Sequence, residues 1–282
     1  MAAMKHTPLD SSVKSLGCVS STLLIPLAAR SQGVRWFPQF DPHDMYASAV
    51  LAALHTDVSR YLGDWATVLN VLWRTEVIKA AGLHFFAQAP HSTGVNLGSG
   101  LSNYFQWFDN GSNHWIDADL AEVMSLRHLC ANLARPHCQG KTVNITQPGW
   151  WKRLKLPTGP HAKPVFLICE GVLMYLTPQQ VQDVLQEVGA NAPTGSELIF
   201  DFMSPVGIGR AALHPSVGDT GAEFTWGGNN AQQIAASHPR FNLLSQRSVS
   251  EAYGFAGCLA ELMLSPISGG PMYGLIHLGL KH

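Results

Sequence analysis

Gly98, Gly100, Asp117 and Glu170 are the residues whose types and spacing could hold a charged nucleoside. The two glycines flank Ser99 in T-G-V-N-L-G-S-G-L. After a strand, such glycines let the backbone approach a ligand that a side chain would block. Asp117 lies 19 residues beyond Gly98. At that distance an acid at the end of a second strand accepts hydrogen bonds from ribose hydroxyls. Glu170 closes the apolar run V-F-L-I-C-E, and Asn144 closes K-T-V-N. In an open α/β sheet, polar groups at the carboxyl ends of parallel strands face the ligand crevice. The third glycine of the dinucleotide fingerprint is missing, because Asn103 stands there. A pyrophosphate needs a dense set of N–H donors around it. S-adenosylmethionine (SAM) is a nucleoside without phosphate, and the looser loop suits it better. Each residue also has a plainer reading. The glycines can serve an ordinary turn, Asp117 or Asp119 can cap the next helix, and Glu170 can be a strand-end acid in solvent.

The elements that must position these residues follow from the hydrophobic pattern. Thr93–Leu97 and His114–Ile116 are predicted strands, with a short helix over Leu101–Phe108 between them. Strands are also predicted over Lys141–Thr146, Val165–Glu170 and Glu197–Phe202. The continuous apolar run at Val165 marks a central parallel strand buried on both faces. Thr177-Pro178 opens a helix to about Ala190, with threonine at the cap and proline at the first position. Apolar residues spaced by three and four predict helices over Ser20–Gln32, Asp44–Leu54, Asp57–Ala66 and Thr67–Ala81. Phe241–Leu244 and Met272–Leu280 have strand character, with a short helix over Ser248–Gly254. The fold class expected is α/β: a Rossmann-like, doubly wound, mostly parallel sheet with an antiparallel edge strand and an N-terminal helical cap. A single domain is expected, with residues 1–90 as the cap, 91–203 as the cofactor-binding core, and 204–282 as a substrate lid and closing strands. Residues 1–15 read as a polar, mobile tail.

Composition narrows the class. The chain has 282 residues, 46% hydrophobic and 13% charged, with a formal net charge of −1. That charge gives no basic field for nucleic acid and no polybasic membrane patch. Leu23-Leu24-Ile25 is cut short by Pro26 and lacks a basic lead, so no signal peptide or membrane span is expected. A cytoplasmic location is the expectation. Five scattered cysteines argue against a disulfide framework. His128, Cys130, His137 and Cys138 cluster in sequence, but without a C-x-x-C pair they read as helix-end and loop residues, and no metal is expected.

V-N-L-G-S-G-L, then W-I-D-A-D-L-A-E-V-M-S-L-R, then C-E-G-V-L-M-Y-L-T-P-Q-Q-V together resemble the leucine carboxyl methyltransferase-type family. The resemblance is to its bacterial branch, similar to tetracenomycin-type polyketide O-methyltransferases, and it runs from about Ser20 to Phe202. It implies a class I methyltransferase using SAM. By that resemblance Arg74 would pair with the methionine carboxylate, Gly98 and Gly100 would shape the loop, and Asp117 would hold the ribose. Asn144 would lie by the adenine, Glu170 by the methionyl amino group, and Tyr175 on the substrate side. The family's G-L-D-T-R-x-x-R reads G-L-S-N-Y-F-Q-W here. Its acid becomes Ser102, and its arginines become Tyr104 and Trp107.

The expected reaction is methyl transfer to a carboxylate or hydroxyl of a small molecule, of polyketide type and in secondary metabolism. A carboxylate acceptor needs no base, whereas a phenol or enol does. His214 and His238, in the Gly-, Ser-, His- and Pro-rich stretch 204–240, are candidates for that base. Two alternatives stand beside this reading. One is an NAD(P)-dependent oxidoreductase, which the missing third glycine and absent Y-x-x-x-K pair disfavour. The other is a degenerate, non-catalytic binding protein of the same fold.

Overall fold

The computed structural model describes residues 20–130, 136–159 and 161–282; the expected tail 1–15 lies outside them. A short 3-10 turn, Ser20–Leu23, leads into α1 (Leu24–Gln32). Pro26 sits in the first turn of α1, where its missing N–H leaves no bond unmade. Asp44 caps α2 (Met45–Leu54) by accepting from the Ala47 N–H. The helix expected over Asp57–Ala66 is instead one turn, α3 (Ser59–Leu62). Asp64 ends that segment and caps a new helix, α4 (Trp65–Gln88), seven residues longer at its end than the apolar pattern suggested.

The sheet begins with β1 (Thr93–Leu97), followed by the short α5 (Phe105–Phe108). β2 (His114–Asp119) runs three residues past the expected Ile116. It stays in register with β1 through the Leu97–Ala118 pair, which extends the strand. Next come α6 (Ala121–Cys130), β3 (Cys138–Thr142), α7 (Trp150–Arg153) and β4 (Val165–Cys169). β3 starts and stops earlier than predicted, because C-Q-G-K-T is a largely exposed edge strand with no apolar alternation to mark it. After a 3-10 turn come α8 (Pro178–Asn191), closed at its start by a Thr177–Gln180 capping box, and β5 (Glu197–Met203). The chain ends with α9 (Ala231–Ala235), β6 (Phe241–Ser248), a 3-10 turn, α10 (Gly254–Ser268) and β7 (Tyr273–Leu280).

The strand order is β3-β2-β1-β4-β5-β7-β6. The first five are parallel, and β7 runs antiparallel to both β5 and β6. This is the expected mostly parallel sheet with an antiparallel edge. All five residues of β4 are buried, as a strand covered on both faces requires. An aromatic layer of Phe85, Phe86, Phe108, Trp115 and Phe166 fills one face. On the other, β1 and β4 pack on Trp150, Val181 and Leu185. Helices α1, α2 and α4 form a third cluster over the carboxyl end of the sheet. Among the described residues no helix is long and apolar enough to cross a membrane.

Candidate active site

The carboxyl ends of β1, β4 and β5 open into a cavity of about 280 Å³. One end is walled by Asn96, by the loop Gly98–Ser102 and by Glu170. The other is walled by Met174, Tyr175, Met203, His214, Val217 and Phe224. α1 and α4 roof it, and Asn70 and Arg74, one helical turn apart on α4, both face it.

Arg74 is the electrostatic centre. Its Nε donates to Glu170 Oε1 at 2.6 Å; its Nη1 reaches the Tyr273 hydroxyl at 2.7 Å and Asp201 Oδ2 at 3.3 Å. Tyr273 donates to Asp201 at 2.5 Å, and the Gly171 N–H donates to the same carboxylate. Burial opposes the charge on Arg74, but Glu170, Tyr273 and Asp201 outweigh it and raise its affinity for the proton. Burial also works against Glu170, yet Arg74 and Arg30 hold it below the usual carboxylate range. Asp201 differs: burial dominates, and its pKa is raised. The two acids share one guanidinium, and Glu170 has the shorter contact plus a second cation nearby. Nη2 of Arg74 has no hydrogen-bond partner among the described residues and lies close to Gly171.

The glycine loop is gripped from outside. Gly98 has φ +65°, and a Cβ there would come within 2.3 Å of Val172. Asp119 accepts from the Gly100 N–H at 2.7 Å. Arg127 on α6 donates to the carbonyls of Gly100 and Ser102 at 2.8 and 2.7 Å. Arg30 on α1 donates to Ser102 Oγ at 2.6 Å and to Asp44 at 2.9 Å. Its Nη1 has no bonded partner and lies 3.9 Å from Glu170. Tyr104, where the family has arginine, donates its hydroxyl to Glu170 Oε2 at 2.7 Å. At the three departures seen in sequence, Ser102 accepts from Arg30, Tyr104 donates to Glu170, and Trp107 donates its indole N–H to the Pro42 carbonyl.

The sequence-predicted residues divide. Arg74, Gly98, Gly100, Glu170, Tyr175 and His214 all line the cavity. Asp117 does not. β2 runs on to Asp119, so Asp117 sits within the strand, 3% exposed. It is held by Arg127 at 2.6 Å and by the Trp115 indole at 3.0 Å. Asp119, two residues on and so on the same face of the strand, occupies the strand end where Asp117 was expected; it too lies outside the cavity lining, but it is bonded to Gly100, which lines it. It is only partly buried, and desolvation raises its pKa. Asn144 is also absent from the cavity lining; its side-chain Oδ1 accepts from the Thr146 N–H and hydroxyl in a local turn beyond β3. His238 lies away from the cavity, against Gly189 and Phe241. Among the described residues no group of three or more His, Cys, Asp or Glu is placed to hold a metal ion.

Three residues at the cavity carry buried polar atoms without a protein partner: Asn70 Oδ1, Asn96 Nδ2 and Ser99 Oγ. Such atoms are costly unless a ligand or water meets them. Together with the Arg74–Glu170 pair, they make a site fit for a ligand bearing a carboxylate, an ammonium and hydroxyls. At the opposite end, His214 is held by the Ser216 N–H at Nδ1 (3.3 Å) and by Thr67 Oγ1 at Nε2 (3.4 Å). Burial lowers its pKa against the opposing charge of Asp64, which leaves the ring neutral at pH 7. Burial pushes the Tyr175 phenol up to about 12.

Comparison with known proteins bears on this geometry. The profile of the leucine carboxyl methyltransferase family matches residues 31–189. The tetracenomycin polyketide synthesis O-methyltransferase TcmP of Streptomyces glaucescens is 26% identical over 238 residues, covering 83% of this chain and 84% of that protein. The S-adenosyl-L-methionine-dependent methyltransferase dpfgK of Gibberella zeae is 24% identical, with 93% of each chain covered. A Thermobifida fusca protein provisionally named a methyltransferase superposes with a TM-score of 0.52 at 17% identity, over 87% of this chain and 98% of that one. At that identity the likeness is one of fold.

Proposed function

The chain belongs to the leucine carboxyl methyltransferase family, and we propose that it methylates an oxygen, carboxylate or hydroxyl, of a small, largely apolar molecule of polyketide type. It is a SAM-dependent methyltransferase, and the oxidoreductase and non-catalytic alternatives give way to that. The observation that carries the reading is the Arg74–Glu170 pair beside the Gly98 loop, on the cavity rim at the strand ends. Arg74 Nη2, without a hydrogen-bond partner among the described residues, suits a ligand carboxylate. Glu170, kept ionised, suits an ammonium. Asp119 replaces Asp117 as the acid for ribose hydroxyls: it lies at the strand end beside Gly100, and accepting from the Gly100 and Leu120 N–H groups leaves it acceptor capacity. Asn96 and Ser99 add donors at the loop. By this reading residues 1–90 cap the site, 91–203 hold the cofactor and 204–282 shape the acceptor end.

When bound, SAM supplies the electrophilic methyl group. The protein's task is then to align an acceptor oxygen and keep water out. Met203, Val217 and Phe224 offer an apolar wall for the acceptor body. Both ring nitrogens of His214 are already engaged and Tyr175 keeps its proton, so no free base faces the cavity among the described residues. That favours a carboxylate acceptor, which is ionised at pH 7 without help. A hydroxyl acceptor remains the second reading because His214 is neutral and lines the cavity; releasing its Ser216 contact would free Nδ1.

Calorimetric titration with S-adenosylhomocysteine tests the cofactor site; no heat at millimolar ligand overturns the assignment. Aromatic carboxylic acids and matched phenols then separate the two acceptors. Turnover of an acid, unchanged in His214→Asn, supports the first. Turnover of a phenol that needs His214 and falls with acid below about pH 6.5 supports the second.

A further inference from the structure

Helix α10 is 15 residues long, and none of them is buried. Its one acidic or basic side chain is Glu261, which already accepts a hydrogen bond from Ser248. Phe255 and Ile267 are 84% and 83% exposed, and Leu262 and Met263 are 69% and 72% exposed. Phe255, Leu259 and Leu262 share one face, while Met263 and Ile267 lie on another. The apolar side chains span more than half of its circumference, and only a narrow strip of Gly257, Glu261, Ser265 and Ser268 is half-buried; an apolar face that wide needs a cover. With its neighbours it leaves on the order of 800 Å² of apolar surface open, taking roughly 150–250 Å² for each whole large side chain. The largest patch on a typical monomer is about 300–600 Å². One partner's share of a standard interface is about 800 Å².

We propose that α10 is the two-fold contact of a homodimer, each helix packing on its mate from a second copy of this chain. The exposed area matches what a stable dimer covers. Charge selects the occupant. An interfacial membrane helix carries Lys and Arg opposite its apolar face, and α10 has neither. A different protein is chosen by a complementary charge pattern, and this face has none to offer. In an isologous contact the same patch meets itself and needs no such pattern. Glu261, half-buried and hydrogen-bonded to Ser248, lies on the side of the helix opposite Leu259 and Met263, away from that contact. Met272, just past the helix and half-exposed, also lines the cavity, so the second copy would reach the rim of the acceptor end.

Sedimentation velocity on the full chain tests this without reference to methyl transfer or any ligand. From a few to 50 micromolar, the chain should sediment at twice its own mass. Phe255→Asp with Ile267→Asp should give a monomer with unchanged circular dichroism and S-adenosylhomocysteine affinity. The milder Leu262→Gln should weaken self-association by about tenfold. A wild-type monomer at 50 micromolar, or a double variant that stays dimeric, overturns the proposal. Flotation with neutral and with anionic phospholipid vesicles separates the lipid outcome: a monomer that floats assigns the helix to a membrane surface instead.

Discussion

The two ends of the cavity are built by different means. The glycine-loop end is tied by charge: Arg30, Arg74 and Arg127, each at most 8% exposed, hold Asp44, Glu170, Asp201, Asp117 and two loop carbonyls. The acceptor end is walled by Met203 at the end of β5, by Met174 and Tyr175 on the 3-10 turn after β4, and by Val217 and Phe224 in irregular chain, with long neutral hydrogen bonds around His214. A network of buried ion pairs tolerates little change, because removing one partner leaves the other charge uncompensated. Apolar walls can exchange volume at modest cost. The contrast suits a site in which one ligand is fixed and the other sets specificity.

Substitutions at each end of the cavity test that contrast. Arg74→Ala should have the largest effect, because it strips two buried carboxylates of their shared cation. Affinity for S-adenosylhomocysteine should fall by about 100-fold or more, with a clear drop in melting temperature. If calorimetry shows near-native binding, the charged end is not the cofactor end. Next is the pair of acids on β2. Asp117→Asn should cost about 3–5 kcal/mol of stability by leaving Arg127 unpaired, measured by urea unfolding. Asp119→Asn should leave more of the stability intact and weaken cofactor binding about tenfold. The opposite pattern would return the ribose to Asp117.

At the acceptor end, Phe224→Ala should raise the acceptor KM by about tenfold through lost apolar contact, with cofactor affinity unchanged. A matching loss of cofactor binding would show that the two ends are not separable. The smallest effect concerns His214. Its folded pKa lies below its ordinary value, because burial outweighs Asp64. The unfolded chain therefore binds the proton more readily. Stability is full above about pH 6.5 and declines as pH falls through the folded value. His214→Asn should flatten that slope in melting curves taken between pH 5 and 8, and an unchanged slope would place its origin elsewhere.

Periodicity and local rules reach the secondary elements well where the chain states them. Thr177-Pro178 fixes a helix start through its capping box, and Val165–Cys169 declares a central strand by being apolar throughout. α10 was not legible: its apolar residues cover more than half of the circumference, and no narrow stripe announces a helix that packs on little of its own chain. The end of β2 was misjudged for a related reason. W-I-D-A-D gives two acids on one face, and only pairing with β1 carries the strand on to Asp119.

What the sequence determined by itself was chemistry and order: an arginine, a glycine loop, and acids at the ends of parallel strands, in an α/β fold with an antiparallel edge. Residue type and period dictate these locally. Only the tertiary structure decided which acid of β2 ends the strand beside the glycine loop, that Arg30 meets Ser102 and Tyr104 meets Glu170, and that His238 lies away from the cavity. Those outcomes depend on side chains up to 199 positions apart, as Arg74 and Tyr273 are. No local pattern encodes such a distance; strand register and helix packing set it.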